Sequence, residues 1–185
     1  LFSDKDEKYL DLVCGSATSN LGHNHPAQIK AIKEATKTGI LHTGTRLISP
    51  YRAKLYDLLS RYMETKDISI HLLNSGAEAI ETAIKVTRFV SSKQKFIFFE
   101  GGYHGRTLGA LSLTHAEEIR RPFIGNIGDF VTFAPYPRDE AEVPYCLEKC
   151  SEIFEYSKSV SDPIAGVVVE AIQGVSGVWG PFPAF

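Results

Sequence analysis

The pattern of apolar and polar positions changes period within residues 68–88, ISIHLLNSGAEAIETAIKVTR. Residues 68–73 form a short apolar run of strand length. After Asn74-Ser75-Gly76, the residues Ala79, Ile80, Ala83, Ile84 and Thr87 recur at three- and four-residue spacing, the period of one helix face. A strand passing through small polar residues into a helix is therefore predicted. A helix start exposes unpaired backbone N–H groups and the positive end of the dipole, so it attracts anions such as phosphate. Asn74 or Ser75 either caps the helix, as helices commonly need, or borders an anion seat where Gly76 and Ala77 let the ligand approach the backbone. This stretch alone leaves both readings open.

The remaining pattern predicts alternating strands and helices. Residues 1–12 predict two short strands around Ser3-Asp4-Lys5-Asp6, and 14–25 a polar loop. Pro26 suits a first helical turn, and Ala27, Ile29, Ala31, Ile32 and Ala35 carry that helix toward a stop near Gly39. Residues 41–49 predict a second loop. Ser49-Pro50 opens a helix with Tyr51, Leu55, Leu58, Leu59 and Tyr62 on one face. Residues 95–100, KFIFFE, predict a strand buried on both faces. A short helix over 107–113 and a strand over 130–134 follow. A helix from about 145 to 158 is expected to bury Leu147, Ile153 and Phe154. A fourth strand over 164–172 runs into the glycine-rich 173–177.

This alternation implies an α/β fold with a mainly parallel sheet covered on both faces. Ligands of such sheets bind outside the carboxyl ends of the strands. Three polar clusters are expected on that rim: Asn74-Ser75-Gly76, Tyr103-His104-Gly105-Arg106, and Glu170 with Gln173.

Composition narrows the partners. The chain has 185 residues and a net charge of −2, which points to neither nucleic acid nor a membrane surface. No apolar run is long enough to span a bilayer. The three cysteines include no Cys-x-x-Cys pair, so neither a zinc site nor a disulfide framework is indicated, and they fit a reducing, cytoplasmic setting. His23 and His25 beside a proline do not make a metal site. The chain does not start with Met and reads as a segment of a longer protein, so the lack of a targeting signal carries no weight.

The rim clusters offer a phosphate seat, a flat ring, a cation and a carboxylate. Tyr103, between glycines, either stacks on a planar ligand or packs on the surface of the core. Arg106 is a fixed cation able to grip a carboxylate bidentately, or an ordinary surface arginine. Glu170 follows three valines, so its ionised carboxylate needs a partner cation. This set suits pyridoxal phosphate and an amino acid better than a dinucleotide, and no G-x-G-x-x-G or G-x-x-x-x-G-K-[ST] pattern occurs at a strand end.

Four motifs in order then carry a resemblance. Leu21-Gly22-His23-Asn24-His25-Pro26, Asn74-Ser75-Gly76-Ala77-Glu78-Ala79, Tyr103-His104-Gly105-Arg106-Thr107 and Val169-Glu170-Ala171-Ile172-Gln173-Gly174 resemble segments of the class III aminotransferases. These are fold-type-I, pyridoxal-phosphate-dependent enzymes of the ornithine, acetylornithine and 4-aminobutyrate type. The resemblance implies part of a small N-terminal domain in residues 1–48 and the first half of the cofactor domain in 49–185. It implies that Ser75, Gly76 and Ala77 bind the cofactor phosphate, that Tyr103 stacks on the pyridine ring, and that His104 shapes that face. Arg106 would hold a substrate carboxylate, and Glu170 would pair with a second arginine to switch between amino donor and 2-oxo acid. The loops 20–22 and 42–44 would line the substrate entrance, with a homodimer implied by the family.

Two departures stand beside Glu170. Ala171 replaces the family's usual proline, and Val175-Ser176-Gly177 replaces the commoner Glu-Gly-Gly. The family's pyridine-nitrogen aspartate and Schiff-base lysine lie downstream of Gly174, and neither Lys85 nor Lys95 matches a motif position. The expectation is thus an aminotransferase moving an amino group from an amino acid or ω-amine to a 2-oxo acid such as 2-oxoglutarate, with these 185 residues inactive alone. The alternatives are another reaction on the same fold (aminomutase, racemase or decarboxylase) and a non-catalytic binding protein without the lysine.

Overall fold

The computed structural model describes residues 1–39, 43–44, 46–63, 67–180 and 182–185. The expected 41–49 loop therefore lies partly outside the described residues, as does His42 of the expected entrance. By contacts the chain divides into two compact units, Leu1–Ile70 and His71–Phe185.

The first unit is helical. The two strands expected in residues 1–12 reduce to a single bridge between Phe2 and Lys8, because the turn leaves no length for a ladder. The expected loop after it contains α1 (Cys14–Ala17), one turn whose Cys14, Gly15, Ser16 and Ala17 have φ of 51°, 62°, 58° and 63°. Left-handed backbone costs about 1–2 kcal/mol per non-glycine residue. Here the Asp11 carboxylate offsets part of that cost by accepting the N–H groups of Val13 and Cys14. The helices α2 (Pro26–Lys37) and α3 (Pro50–Tyr62) each begin with proline, and Ser49 caps α3 by accepting the Arg52 N–H.

The second unit begins without a strand. Residues 68–73 form none, because no described segment pairs with them, and Leu72 and Leu73 stay exposed. The helix α4 (Gly76–Ser91) follows. Ser75 is its cap and accepts the Glu78 N–H, while the Glu78 carboxylate reaches back to the Asn74 N–H at 2.8 Å. This reciprocal arrangement closes the first turn.

Among the described residues the sheet has three parallel strands in the order β2-β1-β3: β1 (Lys95–Phe99), β2 (Val131–Ala134) and β3 (Ile164–Val167). Side chains alternate across β1. Phe96 and Phe98 pack with Ile84 of α4 and Leu113 of α5 (Leu108–Leu113) on one face. Ile97 and Phe99 pack on the other with Cys150, Ile153 and Phe154 of α7 (Val143–Ser159). Between α5 and β2 lies the one-turn α6 (Glu117–Arg120). Each buried phenylalanine contributes about 1.5–3 kcal/mol, so β1 is the hub of the unit.

Two expectations need correction here. Leu147 is exposed rather than buried, since Val143, Cys146 and Ser157 take the inner face of α7. The strand expected over 164–172 is β3 and ends at Val167, not Ile172; just beyond it the Val168 N–H donates a last backbone bond to Ile97 O. Glu170 therefore sits on the loop leaving the sheet.

Candidate functional site

The loop of residues 101–106 leaves the carboxyl end of β1 and is held from four directions. Gly102 N–H returns to Phe99 O, and His115 N–H donates to Gly102 O. Thr114, fully buried, accepts the His104 N–H and donates its hydroxyl to Gly105 O. Tyr103 N–H donates to Glu170 Oε2 at 2.9 Å. Thr107 donates its hydroxyl to Glu81 Oε1 of α4.

The loop lies directly against the start of α4. A Cβ added at Gly105, whose φ is +132°, would fall 2.8 Å from the Ala77 Cβ. Only glycine allows both that backbone conformation and that approach. Residues 101–106 and the Ser75–Ala77 junction are thereby brought together, as the sequence expected, although the expected strand before Asn74 is missing. Of the three clusters placed at strand ends, those at 103–106 and 170–173 follow strands, and the one at 74–76 reaches them through α4.

The seat itself is open. Apart from the adjoining residues and the backbone of its own helix, no atom of the described residues lies within 4 Å of where a Cβ on Gly76 would stand. The N–H groups of Gly76 and Ala77 have no acceptor among the described residues. Ser75 Oγ already accepts the Glu78 N–H, which leaves its hydroxyl proton available as a donor. Two backbone donors, a hydroxyl and a helix dipole fit a phosphate ester.

Tyr103 is half-buried, and its ring and hydroxyl have no aromatic or hydrogen-bonding partner among the described residues. His104 sits edge-on to Phe98, with ring centroids 5.5 Å apart. Burial lowers its pKa from the usual 6.5, while the Glu170 charge pulls it back up. Arg106 is exposed and has no ion-pair or hydrogen-bonding partner among the described residues.

Glu170 accepts the Tyr103 N–H on its carboxylate and has no cation partner among the described residues. Its backbone is held by Tyr136, whose hydroxyl donates to Glu170 O at 3.1 Å and Ala171 O at 3.3 Å. Burial, then the Glu170 charge, pushes the Tyr136 pKa up, which keeps that hydroxyl a donor. Gln173 is 2% exposed; its amide donates to Glu100 O and its carbonyl accepts the Ser176 hydroxyl. Beside these residues an apolar cavity of about 390 Å³ is lined by Phe99, Tyr136, Val169, Glu170, Phe182 and Phe185 among others.

Three residues that hold the site were not assigned roles from the sequence: Glu81, Thr114 and Tyr136. Only Glu78, three residues after Ser75, carries a readable local signal, that of a capping box. Cys146 and Cys150 are not activated as thiolates. Burial raises the pKa of both Cys146 and Cys150, so they stay thiols near neutral pH. Among the described residues no group of three metal-ligating side chains occurs, and no helix is long and apolar enough to cross a membrane.

Comparison with known proteins covers the whole chain. The family model for aminotransferase class-III matches residues 1–185. An acetylornithine aminotransferase of Methanopyrus kandleri is 36% identical over 186 residues, covering 100% of this chain and 43% of the relative. A diaminobutyrate–2-oxoglutarate aminotransferase of Haemophilus influenzae is 37% identical over 184 residues, covering 92% of this chain and 40% of the relative. The solved structure of taurine:2-oxoglutarate aminotransferase from Bifidobacterium kashiwanohense, in complex with PLP and glutamate, superposes with a TM-score of 0.83 at 24% identity. It covers 97% of this chain and 42% of that one. The fold is thus that of the fold-type-I transaminases, represented in part. The chain spans less than half the length of the relatives it matches.

Proposed function

Since the chain belongs to the class-III aminotransferase family, we propose that the whole protein moves an amino group from an amino acid or ω-amine to a 2-oxo acid such as 2-oxoglutarate, using pyridoxal phosphate. The observation that carries this reading is the open N-terminus of α4, held against the 101–106 loop where Gly105 meets Ala77.

The residues present fit the cofactor. Gly76 and Ala77 donate their N–H groups to its phosphate, with the Ser75 hydroxyl as a further donor. Tyr103 offers its unpaired ring to the pyridine face, and His104, neutral at pH 7 through burial, fills the space beside it. When bound, pyridoxal phosphate supplies the electron sink that no protein side chain provides.

Arg106, exposed and unpaired among the described residues, grips the substrate carboxylate bidentately. Glu170 holds the Tyr103 N–H and serves as counter-charge to an arginine from elsewhere in the whole protein. A small domain in 1–48 and a cofactor domain from 49 onward, a homodimer and a cytoplasmic location belong to the same reading.

These 185 residues do not transaminate alone on this account. Lys95 lies at the amino end of β1, where its Nζ binds Asp129 O at 2.9 Å, away from the rim. Lys85 is exposed, more than two turns along α4 from the seat.

The test is a half-reaction on the full-length protein loaded with pyridoxal phosphate. The visible band of the bound cofactor should fade when an amine donor is added and return with 2-oxoglutarate. A band that no donor alters contradicts the proposal.

A further inference from the structure

We propose that Glu81 is a positioning residue that fastens the substrate-binding end of the 101–106 loop to the helix forming the phosphate seat. This rests on the reading of Arg106 and of the α4 start given above.

The helix α5 has only six residues and cannot hold its own geometry. Its cap residue, Thr107, makes no side-chain cap bond within α5. The Thr107 hydroxyl instead donates to Glu81 Oε1 at 2.6 Å, and the same oxygen accepts the Ala110 N–H at 3.1 Å. The cap of α5 is therefore supplied by α4. A carboxylate suits a helix N-terminus, and bonds to an ionised acceptor are short and strong.

Gly109 makes this approach possible. A Cβ there would overlap the Glu81 carboxylate. Arg106 directly precedes the anchored Thr107 and has no other tether among the described residues. Glu81 lies five residues beyond Gly76 on the same helix. The Gly105–Ala77 contact and Thr114 hold the chain on one side of Arg106, and the Glu81 carboxylate holds it on the other, which limits where the guanidinium can reach relative to the phosphate seat.

The Thr107 bond is exposed to solvent and the Ala110 bond is part-buried, so Glu81→Ala should cost some stability while Thr107→Val should alter position with little loss of stability. In the full-length holoenzyme, Glu81→Ala should raise the KM for 2-oxoglutarate about tenfold and keep the Kd for pyridoxal phosphate within about threefold. Amide exchange should quicken in residues 103–110 and not in β1. Glu81→Gln, which keeps an acceptor oxygen, should stay within about threefold of the unmodified protein in KM. Thr107→Val, which removes only the hydroxyl, should reproduce the Glu81→Ala pattern, and it decides the matter if Glu81→Ala fails to fold.

An unchanged KM, or equal losses for cofactor and 2-oxo acid, overturns the proposal for Glu81 while leaving the aminotransferase reading intact. If the unmodified protein does not respond to any amine donor, the reading itself fails. Exchange then decides the positioning role alone: faster exchange confined to 103–110 supports it, and unchanged exchange overturns it.

Discussion

The backbone N–H of Tyr103 donates to Glu170 Oε2 at 2.9 Å across 67 residues of sequence. The ring proposed to face the cofactor and the carboxylate proposed to exchange partners are thus joined by one hydrogen bond, at the carboxyl ends of β1 and β3. Removing the acceptor leaves a partly buried donor unpaired, at about 1–3 kcal/mol. Glu170→Ala should lower the stability of the full-length protein by that amount in urea unfolding, and Glu170→Gln by much less, since its amide oxygen still accepts.

The pH dependence of stability should carry a His104 contribution. Burial lowers its folded pKa below the unfolded value near 6.5. Between the two values the unfolded state binds more protons, so stability is full above about pH 6.5 and falls as pH drops toward the folded pKa. His104→Phe should flatten this part of the curve. Glu170→Gln removes the charge that raises the His104 pKa, so the decline should extend to lower pH. Unfolding measured from pH 5 to 8 on the three proteins checks this; an unaltered slope in His104→Phe goes against it.

Two glycines should respond in opposite ways. Gly76 faces open space, so Gly76→Ala should leave stability within about 0.5 kcal/mol while weakening pyridoxal phosphate binding, because the new methyl meets only the ligand. Gly105 has φ +132° and abuts Ala77, so Gly105→Ala should cost about 3 kcal/mol or more through strain and overlap. Melting curves with and without cofactor separate the two. A destabilised Gly76→Ala with unchanged binding would mean that the α4 start serves the fold alone.

Arg106 should separate substrate from cofactor. Arg106→Ala removes charged hydrogen bonds worth about 1.5–3 kcal/mol, so the KM for 2-oxoglutarate should rise about 10- to 100-fold. The Kd for pyridoxal phosphate should move little. Steady-state kinetics and a cofactor titration on the same preparation test this, and the reverse pattern would assign Arg106 to the phosphate or to the fold.

Local signals in the sequence revealed the helix starts and the central strand. Pro26, Ser49-Pro50 and Ser75 mark helix starts because proline and hydroxyl caps act within one turn. The KFIFF run marks β1 because a strand buried on both faces is apolar throughout. Residues 68–73 have the composition of a strand, but a strand exists only when another segment pairs with it, and no single run encodes its partner. Leu147 fits the period of α7, yet Val143 and Cys146 take the core face. The site was legible as three polar clusters with motif spacing. Their fastenings were not, since Glu81 to Thr107, Tyr136 to Glu170 and Gln173 to Glu100 join residues 26, 34 and 73 apart. Such contacts follow from chain topology, not from local pattern.

The central claim is that the start of α4 is the phosphate seat, and a crystal structure of the full-length protein with pyridoxal phosphate tests it most directly. The account predicts phosphate oxygens within hydrogen-bonding distance, about 2.7–3.2 Å, of the Gly76 and Ala77 nitrogens, with the Tyr103 ring against the pyridine. A cofactor bound with its phosphate elsewhere, and residues 75–77 facing only solvent, would contradict it.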